Sequence, residues 1–428
     1  MLQNAIAPKK PQIVHRTVLD NGIVVLTVEN SAADIIASRI FIRAGSQWEP
    51  RHKAGLSHLL SSVITKGTQE LSSIEIAEKI ESVGAQLSAD AATDYFLVSL
   101  KTVTADWEEM FQLAGEILRY PSFPETEVNL ERHLTIQDIR SQKEQPFNIA
   151  FDQLRLAMYQ NHPYALSILG TEDTVAELFR DDLEAYHQTY FRPDNMVISL
   201  AGRLTPAEAV AQVEKVFGNW QPPQTSFNPP PFPQITSQPR QVITPQQTQQ
   251  SIVMLGYLTP TVEDIDYAPL KLLNTYLGNG LSSRLFVELR EKRGLAYDVS
   301  AFYQTRQSVS AFVVYIGTAP ENTTIAFDGL QSEVERLCKS PLNQDELQSA
   351  KNKLLGQYAL GKQTNAQLAQ IYGWYETLGL GIEFDTKFQE DIANVTPEMA
   401  QAAAIRYFTE PYISLVGPSE FVNLNSEI

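Results

Sequence analysis

The feature that most restricts the fold of this chain is a proline-rich stretch near its middle. Seven prolines stand between Pro222 and Pro239, three of them consecutive at Pro229, Pro230 and Pro231, with Gln, Ser, Thr and Asn between them. Proline fixes φ and lacks an amide donor, so the stretch predicts an extended, semi-rigid linker that no sheet or helix can absorb. It divides the 428 residues into an N-terminal unit, 1–221, a linker, 222–240, and a C-terminal unit, 241–428.

The two units read as copies of one plan. Each opens with short alternating strands: Val18 to Glu29 as a hairpin around Asn21-Gly22 followed by Ile36 to Arg43, and Gln241 to Thr244 followed by Gln250 to Leu258. A helix follows in each, at Gly55 to Lys66 and Tyr267 to Leu277, and alternating strands return at Tyr95 to Val103 and Ser308 to Ile316. Helices at Asp106 to Leu118 and Asn322 to Cys338 precede a proline-marked turn and a longer helix, Pro124 to Lys143 and Pro341 to Tyr358. Both units end on a helix, a Tyr-Phe pair, a proline turn and a closing strand, in Ala185 to Gly202 and Ala402 to Pro418. Strands and helices that do not alternate strictly predict an α+β class, each unit a mainly antiparallel sheet with helices on one face. Two such layers joined by a stiff linker are expected to face each other across a cavity.

Charge narrows the partners. With 50 acidic against 33 basic residues the formal net charge is −17, which repels phosphate backbones and anionic lipid and disfavours nucleic acid and membrane surfaces. Peptides carrying basic residues suit such a surface better. Cys338 is the single cysteine, so neither an intrachain disulfide nor a thiolate metal cluster can form. No apolar run is long enough to span a bilayer, since Ile35 to Ile42 is broken by Ser38 and Arg39, and the two lysines of Met1 to Pro11 have no apolar stretch behind them. A soluble, cytoplasmic protein is expected.

The helix in "AGLSHLLSSVITKGT", Ala54 to Thr68, is similar in spacing to a zinc helix in which two histidines four apart bind the metal and a glutamate before the second activates water. Here only His58 is present; Ser61 stands where the glutamate would be and Ser62 where the second histidine would be. Serine hydroxyls are poor zinc ligands and cannot take a proton from water near pH 7. His15, His52, His133, His162 and His187 show no metal spacing. A lone histidine on a helix reads as structural.

In the second unit, "LGNGLSSRLFVELREKRGLAYDVSAFY", Leu277 to Tyr303, closely resembles the processing-peptidase, or pitrilysin-type (insulinase-type), zinc peptidase family. The resemblance extends to Gly55–Thr68 and to the duplication. It implies two α+β domains per chain, with two chains closing into a peptide-admitting chamber. It also implies a third zinc ligand at the position of Asp138, 76 residues after Ser62, where glutamate is the family residue. The chain thus departs from the catalytic pattern at Ser61, Ser62 and Asp138. The resemblance assigns Arg290 and Tyr297, seven residues apart, to gripping substrate, and a guanidinium and a phenol are suited to orient a peptide carbonyl. The bland reading of the same pair is a surface salt bridge for Arg290 and a core position for Tyr297. Gly278, Gly280, Ser282 and Ser283 read as a turn between helices; no lysine follows at phosphate-loop spacing, and the resemblance implies a peptide-facing role.

These features together predict a non-catalytic, substrate-binding subunit of a heterodimeric zinc metallopeptidase. The chain itself would bind no cofactor, and a homologous partner with an intact His-x-x-Glu-His helix would supply the zinc. The alternatives are a catalytically inactive structural or peptide-binding homologue, similar to the family's core proteins of respiratory complexes, and an active homodimeric zinc enzyme using His58, Asp138 and a further, unidentified ligand.

Overall fold

A computed structural model describes residues 13–225 and 231–422. The N-terminal stretch Met1 to Pro11 and, within the linker, Pro229 and Pro230 lie outside the described residues. In the first half the strands are β1 (His15–Val18), β2 (Val24–Glu29), β3 (Ile35–Ile42), β4 (Gln86–Ala91), β5 (Phe96–Val103) and β6 (Met196–Gly202). Its helices are α1 (Leu56–Val63), α2 (Ser73–Ser82), α3 (Trp107–Arg119), α4 (Glu125–Lys143), α5 (Pro146–Tyr159), α6 (Glu172–Ala176), α7 (Arg180–Tyr190) and α8 (Pro206–Phe217). The second half carries β7 (Gln241–Pro245), β8 (Ser251–Thr259), β9 (Asp298–Tyr303), β10 (Ser310–Thr318) and β11 (Tyr412–Gly417). Its helices are α9 (Tyr267–Gly278), α10 (Thr323–Lys339), α11 (Gln344–Leu360), α12 (Asn365–Thr377), α13 (Phe384–Asn394) and α14 (Pro397–Tyr407).

The first sheet runs β1-β2-β6-β3-β5-β4 and the second β7-β11-β8-β10-β9. Setting β1 aside, the two orders are one order: a parallel pair, β2 with β6 and β7 with β11, and antiparallel neighbours from there to the edge strands β4 and β9. The duplicated plan is therefore present in the strand pairing itself. The opening hairpin forms, with Val18 opposite Val24, but its loop is longer than the tight turn that Asn21-Gly22 predicts. The reason is that the Asn21 amide turns inward to donate to the carbonyls of Phe217 (2.8 Å) and Trp220 (3.1 Å), closing the end of α8.

Alternation along the strands separates two faces of each sheet. In the first, Ile36, Ile40 and Ile42 point to a core shared with α1, α3, α7 and α8. The other face, with Val24, Leu26, Phe41 and Leu97, is covered by α12 from the second half. Reciprocally, α5 of the first half lies over Ile252, Met254, Val313 and Val416 of the second sheet. The two helices occupy the same place in the duplicated order, after α4 and α11, so the halves exchange equivalent elements.

Close approach is built into both contacts. A Cβ on Gly373 of α12 would lie 2.4 Å from the Phe41 ring, and one on Gly256 of β8 would lie 2.6 Å from the Met158 sulfur on α5. Full burial of a large apolar side chain is worth roughly 1.5–3 kcal/mol. The side chains under α12 therefore amount to about as much as the whole net stability of a domain, roughly 5–15 kcal/mol.

Polar contacts lock the same junction. Arg16 binds Glu376 of α12 through a fork (2.8 Å), Asn365 donates to the Ile35 carbonyl (2.7 Å), and Arg306 approaches Asp94 (3.4 Å). This corrects the expectation of two layers facing each other across a cavity. Within one chain the halves interlock through exchanged helices, because each sheet has a second apolar face that its own helices leave uncovered. The linker is fastened as well: Phe232 stacks on Trp48 at 5.4 Å and on His162 at 5.3 Å. Among the described residues no helix is long and apolar enough to cross a membrane.

Candidate functional site

In the first half the site is built on α1. Leu56, Leu59, Leu60 and Val63 recur at helical spacing and are buried, which fixes the helix against the sheet and turns His58 and Ser62 toward the opposite, half-buried side. The helix start is capped from outside by Glu49, whose carboxylate accepts from the amides of Gly55 (2.8 Å) and Ser57 (2.6 Å). Burial pushes the Glu49 carboxyl up to about 7 against the pull of these bonds. Burial also lowers the His58 pKa, and the charges of Asp138, Glu131 and Asp90 partly offset this.

Asp138 and Glu131 come from α4, two turns apart on one face, and Asp90 from the edge strand β4. Glu131 is held by Lys66 at 3.1 Å. Asp138 is exposed. Sequence reasoning missed Glu131, although its spacing of seven from Asp138 on a helix was the available signal.

For the zinc ion that the family resemblance implies, these donors do not fit. The hydroxyls of Ser61 (2.7 Å) and Ser62 (3.3 Å) both donate to the backbone carbonyl of His58, so neither is turned outward as a ligand. One imidazole and an exposed carboxylate remain. Among the described residues no group of three His, Cys, Asp or Glu side chains is gathered closely enough to hold a metal. The serine at the base position cannot itself take a proton from water near pH 7.

The second half presents the opposite situation. After α9 the chain makes a wide helical turn, Phe286–Glu291, in which the Lys292 amide reaches the carbonyl of Val287, five residues back. Leu285 and Leu289 bury one side of this turn, and Arg284 ties it to α10 through Glu333 (2.7 Å). Arg290 is thereby directed outward. Its guanidinium lies 5.1 Å from the Phe286 ring centre and makes no ion pair among the described residues.

Tyr297 stands just before β9, its backbone amide fixed to the Gly317 carbonyl (2.8 Å) and its side chain 61% exposed. Arg290 makes no salt bridge among the described residues, and Tyr297 is not in a core. Among the described residues no hydrogen bond, ion pair or ring contact joins this pair to the His58 region.

The turn between α9 and the wide helical turn divides its four candidate residues. Gly278 is buried at the end of α9, where the Ser300 hydroxyl donates to its carbonyl (2.7 Å). Ser283 is 2% exposed, with a hydroxyl that has no partner among the described residues. Both lie inside the turn. Gly280, at φ +76°, and Ser282 are exposed, and Lys353 of α11 braces them through the Asn279 carbonyl and, at 3.4 Å, the Ser282 hydroxyl.

Comparison with known proteins agrees with this geometry. Residues 24–172 match the family described as Insulinase (Peptidase family M16), and residues 178–354 match the Peptidase M16 inactive domain. An uncharacterized zinc protease of Bacillus subtilis, YmxG, is 27% identical over 417 residues, covering 95% of this chain and 99% of its own length. An uncharacterized zinc protease of Mycobacterium leprae is 27% identical over 420 residues, 95% of this chain and 92% of that protein. Among solved structures, a peptidase M16 inactive domain from Pseudomonas fluorescens superposes with a TM-score of 0.86 at 25% identity, covering 95% of this chain and 98% of that one. A protease from Helicobacter pylori reaches a TM-score of 0.89 over 95% of this chain and 99% of that chain, at 21% identity, which shows the fold alone. The shared strand order, the residues of Leu277 to Tyr303 and these matches lead to one conclusion: the chain belongs to the M16 (insulinase) peptidase family, with two M16-type domains.

Proposed function

We propose that this chain is the non-catalytic, substrate-binding subunit of a heterodimeric zinc metallopeptidase that degrades or processes peptides. The observation that carries the reading is the asymmetry between the halves. In the first, Ser61 and Ser62 bond to their own helix where a zinc site would need a base and a ligand. In the second, Arg290 and Tyr297 stay exposed with no carboxylate or core partner, as donors waiting for a peptide carbonyl would. A homologous partner with an intact His-x-x-Glu-His helix supplies zinc, and this chain binds none. Gly280 and Ser282 lie on the peptide side of the turn. We place the pair in the cytoplasm, where the lone Cys338 needs no disulfide partner.

The test is to recover the protein gently from its native cells, identify what co-purifies, and assay chelator-sensitive peptide cleavage. A homologous partner with the intact motif should appear. In the reconstituted pair Arg290→Ala and Tyr297→Phe should each lower kcat/KM at least tenfold while leaving the unfolding midpoint of this chain unchanged. Cleavage unaffected by both substitutions would remove the division of labour. Absence of cleavage with any partner would leave a peptide-binding homologue without a peptidase role.

A further inference from the structure

A second polar site lies at the junction of the halves, on the face of the first sheet opposite α1. An open groove of about 460 Å³ lies between β3 of the first sheet and α12. Its walls include Arg39, Tyr95, Gln367, Gln370 and Trp374. Arg39 lies two residues from both Ala37 and Phe41 and so shares with them the sheet face that α12 covers. It is half-buried, and among the described residues its only bonds run from one terminal nitrogen to the backbone carbonyls of Ser38 (3.2 Å) and Leu100 (3.4 Å). Its Nε and other terminal nitrogen donate to nothing among the described residues, and no carboxylate lies within ion-pair distance. The acid whose charge it feels is Asp90, exposed on β4.

The neighbouring groups are in the same state. The Tyr95 hydroxyl, the Gln370 amide and the Trp374 indole N–H have no hydrogen-bond partner among the described residues. Gln367 is engaged in capping α12 at Thr364. Tyr95 is held edge-on against Phe41 at 5.3 Å, and Trp374 packs beside Tyr375 at 5.5 Å, so both rings are fixed walls.

A half-buried guanidinium with its fork free, in a chain of net charge −17 that offers many carboxylates elsewhere, is a cation kept without its counter-ion. The fork matches a carboxylate bidentately, and the aromatic walls suit an apolar body attached to it. The volume is that of a small-ligand pocket rather than of a water site.

From this we infer that the groove is a binding site for a carboxylate carried on an apolar or aromatic body, delivered by a peptide as its C-terminal carboxylate or as an acidic side chain. Arg39 takes the carboxylate, Tyr95 and Gln370 donate beside it, and Trp374 packs on the attached side chain. The assignment rests on the peptide-binding reading only in naming a peptide as the carrier.

The experiment uses the full chain and two probes, N-acetylphenylalanine and its amide, followed by tryptophan fluorescence and calorimetry. The acid should bind at least tenfold tighter than the amide. Arg39→Gln should remove that difference, Arg39→Lys should keep part of it, and Trp374→Phe should remove the fluorescence change; unfolding midpoints establish that each variant is folded. Equal binding of acid and amide, or discrimination that survives Arg39→Gln in a folded protein, overturns the site. A second arm compares one peptide with a free C-terminus, the same peptide amidated, and an amidated version with an internal Glu. Arg39-dependent preference for the first or the third identifies the source of the carboxylate. If Arg290→Ala abolishes peptide binding while Arg39→Gln changes nothing, the groove assignment fails and the subunit reading stands. If no peptide binds but N-acetylphenylalanine does so through Arg39, the peptide carrier and the subunit reading fail and the carboxylate site remains.

Discussion

Gly278 and Gly280 belong to one turn, yet replacing each by alanine should have different consequences. A Cβ on Gly278 would lie 1.9 Å from the backbone nitrogen of Ala301 and 2.6 Å from its Cα, so the end of α9 rests directly on the backbone of β9. That is about 1.6 Å inside the ~3.5 Å at which non-bonded carbon contacts become favourable. The strand cannot yield alone, because Ser300 and Ala301 are paired with Tyr315 and Val314 of β10. Overpacking costs typically about 1–3 kcal/mol, and an obstacle made of backbone puts this case at about 3. At Gly280 the nearest atom is the Lys353 Nζ at 3.3 Å, the end of a flexible side chain, so only the left-handed φ of +76° matters, at about 1–2 kcal/mol. Urea unfolding followed by circular dichroism should therefore rank wild type, Gly280→Ala, Gly278→Ala in falling midpoint, with similar slopes. Because β9 begins next to Tyr297, Gly278→Ala should also weaken peptide binding. A Gly278→Ala protein within about 0.5 kcal/mol of wild type, the range of an ordinary surface change, would refute the packing argument. So would one more stable than Gly280→Ala.

Three further outcomes test other parts of the molecule. Gly373→Ala should destabilise the protein by about 1–2 kcal/mol, a clash of 2.4 Å with the Phe41 ring offset by about 1 kcal/mol of helix propensity. Phe41→Leu in the same chain should relieve part of that loss, which a double-mutant cycle on urea midpoints would read as coupling between the halves. His162 accepts the Tyr164 amide at Nδ1 (3.1 Å) and lies 3.1 Å through Nε2 from the Ser308 hydroxyl, and burial pushes its pKa down to about 4. The unfolded chain then binds the extra proton between about pH 6.5 and 4, so this stability is complete above 6.5 and is lost as pH falls through 4; His162→Gln should flatten that part of the stability profile. Chelator-washed wild-type chain should take up no stoichiometric zinc by elemental analysis, whereas Ser61→Glu, Ser62→His and Asp138→Glu together should bind about one equivalent.

The parts of the fold that were legible are those in which local sequence and tertiary structure agree. Asn21-Gly22 marks the opening hairpin, and the helix expected over Gly55 to Lys66 contains α1. The edge strand β4, Gln-Leu-Ser-Ala-Asp-Ala, was not read, because small and polar residues alternate there too faintly and the ladder to β5 is what makes it a strand. The exchange of α5 and α12 was not legible for a different reason: an apolar helix face states that it must be buried, not against which sheet. Gly373 carries the address, since only a glycine allows α12 to reach Phe41, but a glycine inside a helix reads from sequence as a weak spot. At the site, Arg290 and Tyr297 are singled out only by their motif, while the environment of Arg39 is a property of space that no spacing encodes.

The duplicated topology places the chemistry of the two halves at one position. In the first half the His58 helix and Asp90 adjoin β4, the edge strand; in the second, Arg290 and Tyr297 precede β9, which is the edge strand in the same order. At the first of these positions the two serines have closed onto their own helix, which satisfies their hydroxyls and leaves the fold undisturbed. At the second, Leu285 and Leu289 are buried and Arg284 is tied to α10, yet Arg290 is exposed and has no ion pair among the described residues. A scaffold relieved of all function would have no physical reason to treat the two positions differently. An exposed arginine without a carboxylate contributes little to stability, and a phenol that is 61% exposed leaves apolar surface in water. Neither residue contributes much to the fold, which fits the substrate-contact role proposed for them.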